Sequence, residues 1–337
     1  MQLKGVGLGW RPETAWLIDQ RASLGFTEVI AELIDPARPP AALAAAVARG
    51  LPVITHGVGL SLGGAQPVDH ARLRRLTHAA QTLRSPLVSE HVAFCRAGGA
   101  ASPHFLPVPH TRAQLAILVD NVRRTIDALP APLVLENVAA PLRWPGDELH
   151  EADFLAELVD RTGARLLLDV ANLHANLVNH GGDLDRYLDR LPLDRIAYLH
   201  VAGGARVDVM WRDTHGHPLT PPIIDVLARV LARTGPRPLL LERDDHFGTR
   251  GELEAELDQL ATLHAATAAP PPQPRPVRDI DLPRMHRTLR TTLEHAQRAL
   301  IDCVTGTRAL AAFDPIGLAE ARTIARRKAI SGACPRR

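Results

Sequence analysis

Histidines and carboxylates close one short apolar run after another along this chain: His56 in VITHG, His91 after Glu90 in LVSEH, Glu136 in LVLEN, Asp169 in LLLDVAN, His200 in AYLHVAGG and Glu242 in LLLERDD. Asp213 and His215 fall in a polar DTHGH loop. Neutral imidazole and ionised carboxylate are donors for divalent first-row metals, and no cysteine lies in these motifs to make a thiolate site. So many donors exceed what one ion takes up. The pattern points to a polynuclear centre with nitrogen and oxygen ligands, in which a carboxylate bridges two ions. Taken singly, each residue has an ordinary explanation, such as a capping histidine at His56 or a buried ion pair at Glu136. Their order and phasing together favour the metal.

The neighbours of these residues have supporting roles. Glu90 and His91 are consecutive in a strand and point to opposite faces, so only one faces the centre. His91 is the expected ligand, and Glu90 touches substrate or braces a ligand. Asn137 braces Glu136, and Asp244 lines the exit of the last strand, so Glu90, Asn137 and Asp244 are the candidates for catalytic work beside the metal. Asn172, three residues after Asp169, offers an amide oxygen to a hard ion or caps the next turn. Asp213 and His215 form an Asp-x-His pair suited to chelating one ion. His174 and His180 read as pocket wall or surface.

Such residues meet only if the elements behind them share an edge. Eight short apolar segments, at 5–9, 27–32, 51–56, 86–92, 132–137, 165–170, 195–201 and 238–242, alternate with helical patterns near 13–24, 39–49, 68–84, 111–128, 151–162, 184–190, 221–233 and 251–266. Repeated β-then-α units predict a TIM (β/α)8 barrel, whose strands all open at their C-terminal ends onto one face. Adjacent strands about 4.8 Å apart let side chains from neighbouring strand ends reach one ion. A doubly wound sheet would need a glycine-rich phosphate turn after the first strand. GVGLGW approaches one, but Trp10 stands where the third glycine belongs and Arg11-Pro12 follow.

The barrel pattern covers residues 1–267. Residues 268–278, around APPPQPRPVR, form a proline-rich linker, and 279–337 form a basic helical tail with helical spacing over 281–303 and again from Pro315 to Ala329.

The 337 residues are 46% hydrophobic but only 4% aromatic, so the core is aliphatic. The net charge of +2 is uneven: twelve basic against six acidic residues give +6 from Arg278 onward, which leaves −4 for the barrel. A mildly acidic barrel argues against a nucleic-acid partner, since phosphate binding favours a basic surface. Three cysteines without CxxC spacing suggest no disulfide framework. The N-terminus lacks the apolar core of a signal peptide, and no stretch approaches the roughly 18 to 20 apolar residues of a membrane span. A soluble cytoplasmic protein without a membrane partner is expected.

The segments THGVGLSLGG, LVSEHVAF, LENVA, LLLDVAN, NHGGD, LHVAG, DTHGHP and LLERD resemble, in order and spacing, the multinuclear non-heme iron-dependent oxidative enzymes over roughly residues 4–266. The resemblance implies a TIM barrel of the xylose-isomerase-like type, and two or three iron ions in mixed Fe(II)/Fe(III) states with dioxygen as co-substrate. It further implies oxidative modification of a ribosomally made peptide, commonly at cysteine, with a separate protein binding the peptide's leader. It places one metal at His56, His91 and Glu136, a second at Glu136, Asp169, His200 and Glu242, and a third at Asn172, Asp213 and His215. The chain departs from the family's usual pattern at DVAN, at AGG where Gly204 replaces a histidine, after Glu32, and at DHFG. None of these removes an implied ligand. A three-metal zinc or manganese hydrolase acting on phosphodiesters is the rival reading, and a non-catalytic metal-binding accessory protein is the second.

Overall fold

Eight parallel strands close into a barrel in the hydrogen-bonded order β1-β12-β9-β8-β7-β4-β3-β2. The structure is a computed structural model and describes residues 3–269, 280–284 and 287–306. Its strands and helices are β1 (Val6–Trp10), α1 (Ala15–Gln20), β2 (Phe26–Ile30), α2 (Ala41–Ala48), β3 (Val53–His56), α3 (His70–Thr82), β4 (Val88–His91), β5 (Ala93–Ala97), β6 (Ala100–Pro107), α4 (Arg112–Ala128), β7 (Leu133–Glu136), α5 (Glu151–Thr162), β8 (Arg165–Asp169), α6 (Val170–His180), α7 (Leu184–Arg190), β9 (Ile196–Val201), β10 (Gly203–Val207), β11 (Met210–His217), α8 (Pro221–Thr234), β12 (Leu239–Leu241), α9 (Arg250–Ala266) and α10 (Arg287–Val304).

The alternation of a strand decides what stands inside the barrel. Phe26, Ile54, Val134, Leu167, Tyr198 and Leu240, with Leu3, Leu87 and Ala197, form an apolar cluster of their own, separate from the larger core between barrel and helices. Two residues further along the same strands come Glu28, His56, Glu136, Asp169, His200 and Glu242. Period two therefore gives the barrel two tiers, an apolar floor and a charged layer above it, at the C-terminal strand ends. The first strand contributes neither. Val6, Leu8 and Trp10 belong to the outer core, which leaves Gly7 and Gly9 facing inward. A Cβ on Gly7 would sit 2.7 Å from the Phe26 carbonyl and 3.0 Å from its ring, so glycine there lets the floor close.

Three features depart from the expected string. Residues 170–180, which fall outside the expected helical patterns, form α6, with the Asp169 side chain as its N-cap. The segments 93–107 and 203–217 form antiparallel hairpins, β5–β6 and β10–β11, so Asp213 and His215 lie on a strand rather than in a loop. Local pairing to a neighbouring segment is long-range information that periodicity over eight residues does not carry. The tail contributes α10, and only residues 268 and 269 of the linker and 280–284 and 287–306 of the tail fall among those described; the segment Pro315 to Ala329 lies outside them. Among the described residues no helix is long and apolar enough to cross a membrane.

Candidate metal centre

His56, His91, Glu136, Asp169, His200 and Glu242 lie at or beside the C-terminal ends of barrel strands, while Asp213 and His215 come from β11 and Asn172 from α6. One ligand atom each from His56, His91 and Glu136 lie within 4.8 Å of one another, as do those of Glu136, Asp169 and His200, and those of Asp169, His215 and Glu242. Glu136 belongs to the first two groups and Asp169 to the last two. The three clusters are therefore one chain of overlapping spheres. Glu242 also lies 3.0 Å from His200 Nδ1, so it faces both the second and the third cluster.

Second partners fix which nitrogen each ring offers. His56 Nδ1 lies 2.8 Å from Ser89 Oγ, leaving Nε2 3.7 Å from Glu136 Oε2. His91 Nδ1 donates to Gly57 O at 3.3 Å, leaving Nε2 3.4 Å from the same Glu136 oxygen, and Phe105 stacks on the His91 ring at 3.9 Å. His200 is turned the other way: Nε2 is 2.9 Å from Glu28 Oε1, and Nδ1 faces Glu136 Oε1 at 3.4 Å and Asp169 Oδ2 at 3.9 Å. His215 adopts φ +51°, rare for a residue with a Cβ, and aims Nδ1 at Glu242 Oε2, 3.4 Å away.

The remaining candidates take supporting places. Asp213 Oδ2 pairs with His215 Nε2, so this carboxylate orients the histidine, while its Oδ1 is buried without a hydrogen bond. Glu90 accepts from Leu60 N at 2.8 Å and from His91 N at 2.9 Å, bracing the ligand next to it. Asn137 Oδ1 accepts from Asp169 N at 2.8 Å and its Nδ2 donates to Asp169 O at 3.1 Å, locking two strand ends together. Asn172 spends its Nδ2 on Asn137 O, so only its amide oxygen is available to an ion. Asp244 stands at the mouth, with a 36% exposed side chain, 3.4 Å from His215 Nδ1. His174 packs edge-on against Trp211, and His180 contacts Ala140 O, both as walls.

Four contributors were not among the expected residues. Glu28 and Tyr198 sit beneath His200, Ser89 orients His56, and Arg11 pairs with Glu242 at 3.3 Å and with Asp244. Glu28 carries a readable signal, since it follows inward Phe26 by two residues in FTEVI. It was hidden by lying inside a strand rather than at its end.

The electrostatics suit cations. Burial pushes the Glu136 carboxyl up, but the charges of His91 and His200 outweigh it and hold the group well below the usual carboxylate range. Burial, with Asp213 and Glu136 close by, drives Asp169 up. Glu136 Oε2, Asp169 Oδ2 and His200 Nδ1, the nitrogen turned away from Glu28, are buried without hydrogen-bond partners among the described residues. Orphaned buried polar atoms are costly, and divalent cations would satisfy these together. The donor set fits two or three ions with imidazole and carboxylate ligands.

Comparison with known proteins follows the same lines. A UPF0276 protein of Streptomyces avermitilis is 51% identical over 260 residues, covering 75% of this chain and 53% of that protein. The chain thus spans about half the length of that relative. A UPF0276 protein of Chromobacterium violaceum is 38% identical over 256 residues, covering 75% of this chain and 93% of that one. Among solved structures, a D-allulose 3-epimerase from Methylomonas sp. matches with TM-score 0.51 at 16% identity over 79% of this chain and 96% of its own. A Thermus thermophilus protein soaked with zinc chloride matches with TM-score 0.51 at 20% identity over 77% of this chain and 97% of its own. These likenesses show the fold, a TIM barrel of the xylose-isomerase-like type. Residues 5–265 match the profile of the family described as RiPP precursor modification enzyme MbnB/TglH/ChrH, RiPP denoting a ribosomally synthesised and post-translationally modified peptide. The chain belongs to this family of peptide-modifying enzymes.

Proposed function

We propose that the chain oxidises a ribosomally made precursor peptide, at cysteine, using two or three iron ions at the barrel mouth and dioxygen as co-substrate. The carrying observation is the run of three donor clusters that share Glu136 and Asp169. His56, His91 and Glu136 would hold one ion, Glu136, Asp169 and His200 a second, and Asp169, His215 and Glu242 a third, with Asn172 and Asp213 as additional oxygen donors. Bound there, iron supplies Lewis acidity toward a substrate thiol and one-electron chemistry toward dioxygen.

The chain's own side chains do the rest. Glu90 and Asn137 hold His91 and Asp169 in place. Asp244, at the mouth and tethered by Arg11, is placed to take a proton from an incoming group. A separate protein would present the peptide's leader, and the cytoplasm is the compartment that supplies both.

The test is metal analysis and Mössbauer spectroscopy on anaerobically prepared protein, followed by aerobic incubation of the iron form with a short cysteine-containing peptide encoded beside the gene. A mass change in the peptide supports the reading. Full zinc occupancy with an inert iron form, or phosphodiester hydrolysis by the zinc form, would replace it with the hydrolase.

A further inference from the structure

The family match ends at residue 265, yet α10, which lies beyond it, packs against the β5–β6 hairpin and α4. Leu300, Ile301, Cys303 and Val304 are buried, and Gln297 is wholly shielded from solvent. Gln297 Oε1 accepts from Ala65 N at 2.8 Å, and its Nε2 donates to Gly63 O at 2.7 Å and Gln114 Oε1 at 3.1 Å. Arg290 donates to Ala65 O at 2.8 Å and pairs with Asp120. Arg298 donates to Gly98 O at the turn of the β5–β6 hairpin.

Besides Gln114 and Asp120 on α4, these contacts land on the two segments that surround His91. The loop at 57–66 leaves β3 directly after His56; its Gly57 O accepts from His91 Nδ1, and its Leu60 N donates to Glu90. The hairpin at 93–107 leaves β4 after His91 and lays Phe105 on the imidazole. Loop and hairpin touch so closely that a Cβ on Gly63 would stand 2.2 Å from Val108 Cγ1 and 2.9 Å from Ala93 O. The buried amide of Gln297, bonded to Gly63 and Ala65 of the loop and to Gln114 of α4, fixes the loop at the point where it meets the hairpin.

We infer that α10 is a strut for the His56–His91 end of the metal centre, with Gln297 as its positioning residue. The inference rests on the metal-centre reading above. It makes the C-terminal extension part of the active-site architecture, acting through the loop and hairpin.

The test compares full-length wild type, Gln297→Ala, Arg298→Ala and a control, Leu227→Ala, in α8 across the barrel. Thermal unfolding, hydrogen exchange of 57–66 and 93–107, and Co(II) titration followed by visible absorption are read on each. Gln297→Ala is expected to lose exchange protection at 57–66 and to bind one Co(II) at least tenfold more weakly, with the other ions unaffected. The control, destabilised to a comparable Tm, keeps every site. Wild-type Co(II) affinities in Gln297→Ala, or the same weakening in Leu227→Ala, overturn the strut. Should Gln297→Ala not fold, Arg298→Ala decides by the same readouts. Wild type that takes up no Co(II) overturns the metal-centre reading instead, an outcome separate from any difference among variants.

Discussion

Tyr198 donates its phenolic hydrogen to Glu28 Oε2 at 2.5 Å, and the other oxygen of that carboxylate stands 2.9 Å from His200 Nε2. A residue of the apolar floor thereby sets the orientation of the histidine two positions further along its own strand. Tyr198→Phe leaves a buried carboxylate oxygen without its donor, at a cost of about 1–3 kcal/mol. It should also weaken metal binding roughly tenfold, as loss of a ligand's outer partner does. Urea unfolding of the metal-free protein and Co(II) titration measure the two effects. Unchanged affinity would show that His200 needs no such support.

Glu136 serves two clusters and His215 only one. Glu136→Ala should therefore lower the metal content by two ions per chain, and His215→Ala by one. Elemental analysis after gel filtration gives the count directly. Equal losses would mean that the shared carboxylate is not a bridge.

Arg11 is the buried cation between Glu242 and Asp244. Arg11→Met removes the buried cation that Glu242 and Asp244 share, and breaking a buried pair typically costs about 3–5 kcal/mol. Added divalent cation should recover much of that loss, because it supplies the missing positive charge. Denaturant unfolding with and without Zn(II) tests this, and a variant insensitive to the ion would place Arg11 outside the centre's electrostatics.

Acid sensitivity is expected from a residue away from the metal. Burial, with His150 and Arg143 nearby, pushes His110 down from 6.5 to about 4. The unfolded chain then binds the proton more readily than the folded one between those values. Stability is full above about pH 6.5 and falls as pH drops toward 4, by up to about 3 kcal/mol. His110→Gln should flatten that part of the profile relative to wild type in unfolding experiments run from pH 4.5 to 7.5. A parallel profile would show that the imidazole is free to protonate in the folded state.

Much of this was legible in residue order. Apolar runs ending in His56, Glu136, Asp169 and His200 announced a shared rim, because a parallel barrel strand is buried on both faces and polarity enters only where it ends. What escaped was whatever depends on a partner far along the chain. Glu28 matters because Tyr198 and His200, from a strand far along the chain, bond to it, and Arg11 because the chain's last barrel strand returns beside its first. The spacing put Asp213 beside His215, but only the hairpin shows that its Oδ2 meets His215 Nε2. The helix at 170–180 was masked by its own density of polar residues, which face the mouth at one end and Trp211 along the side.

The floor of Phe26, Ile54, Val134, Leu167, Tyr198 and Leu240 has a consequence for traffic. It closes the barrel below the charged layer, so the donor clusters are not reached through the barrel from beneath. On the function proposed above, a peptide would reach the metal centre from the C-terminal strand ends and could not thread through the barrel, so it would have to offer a terminus or a bend.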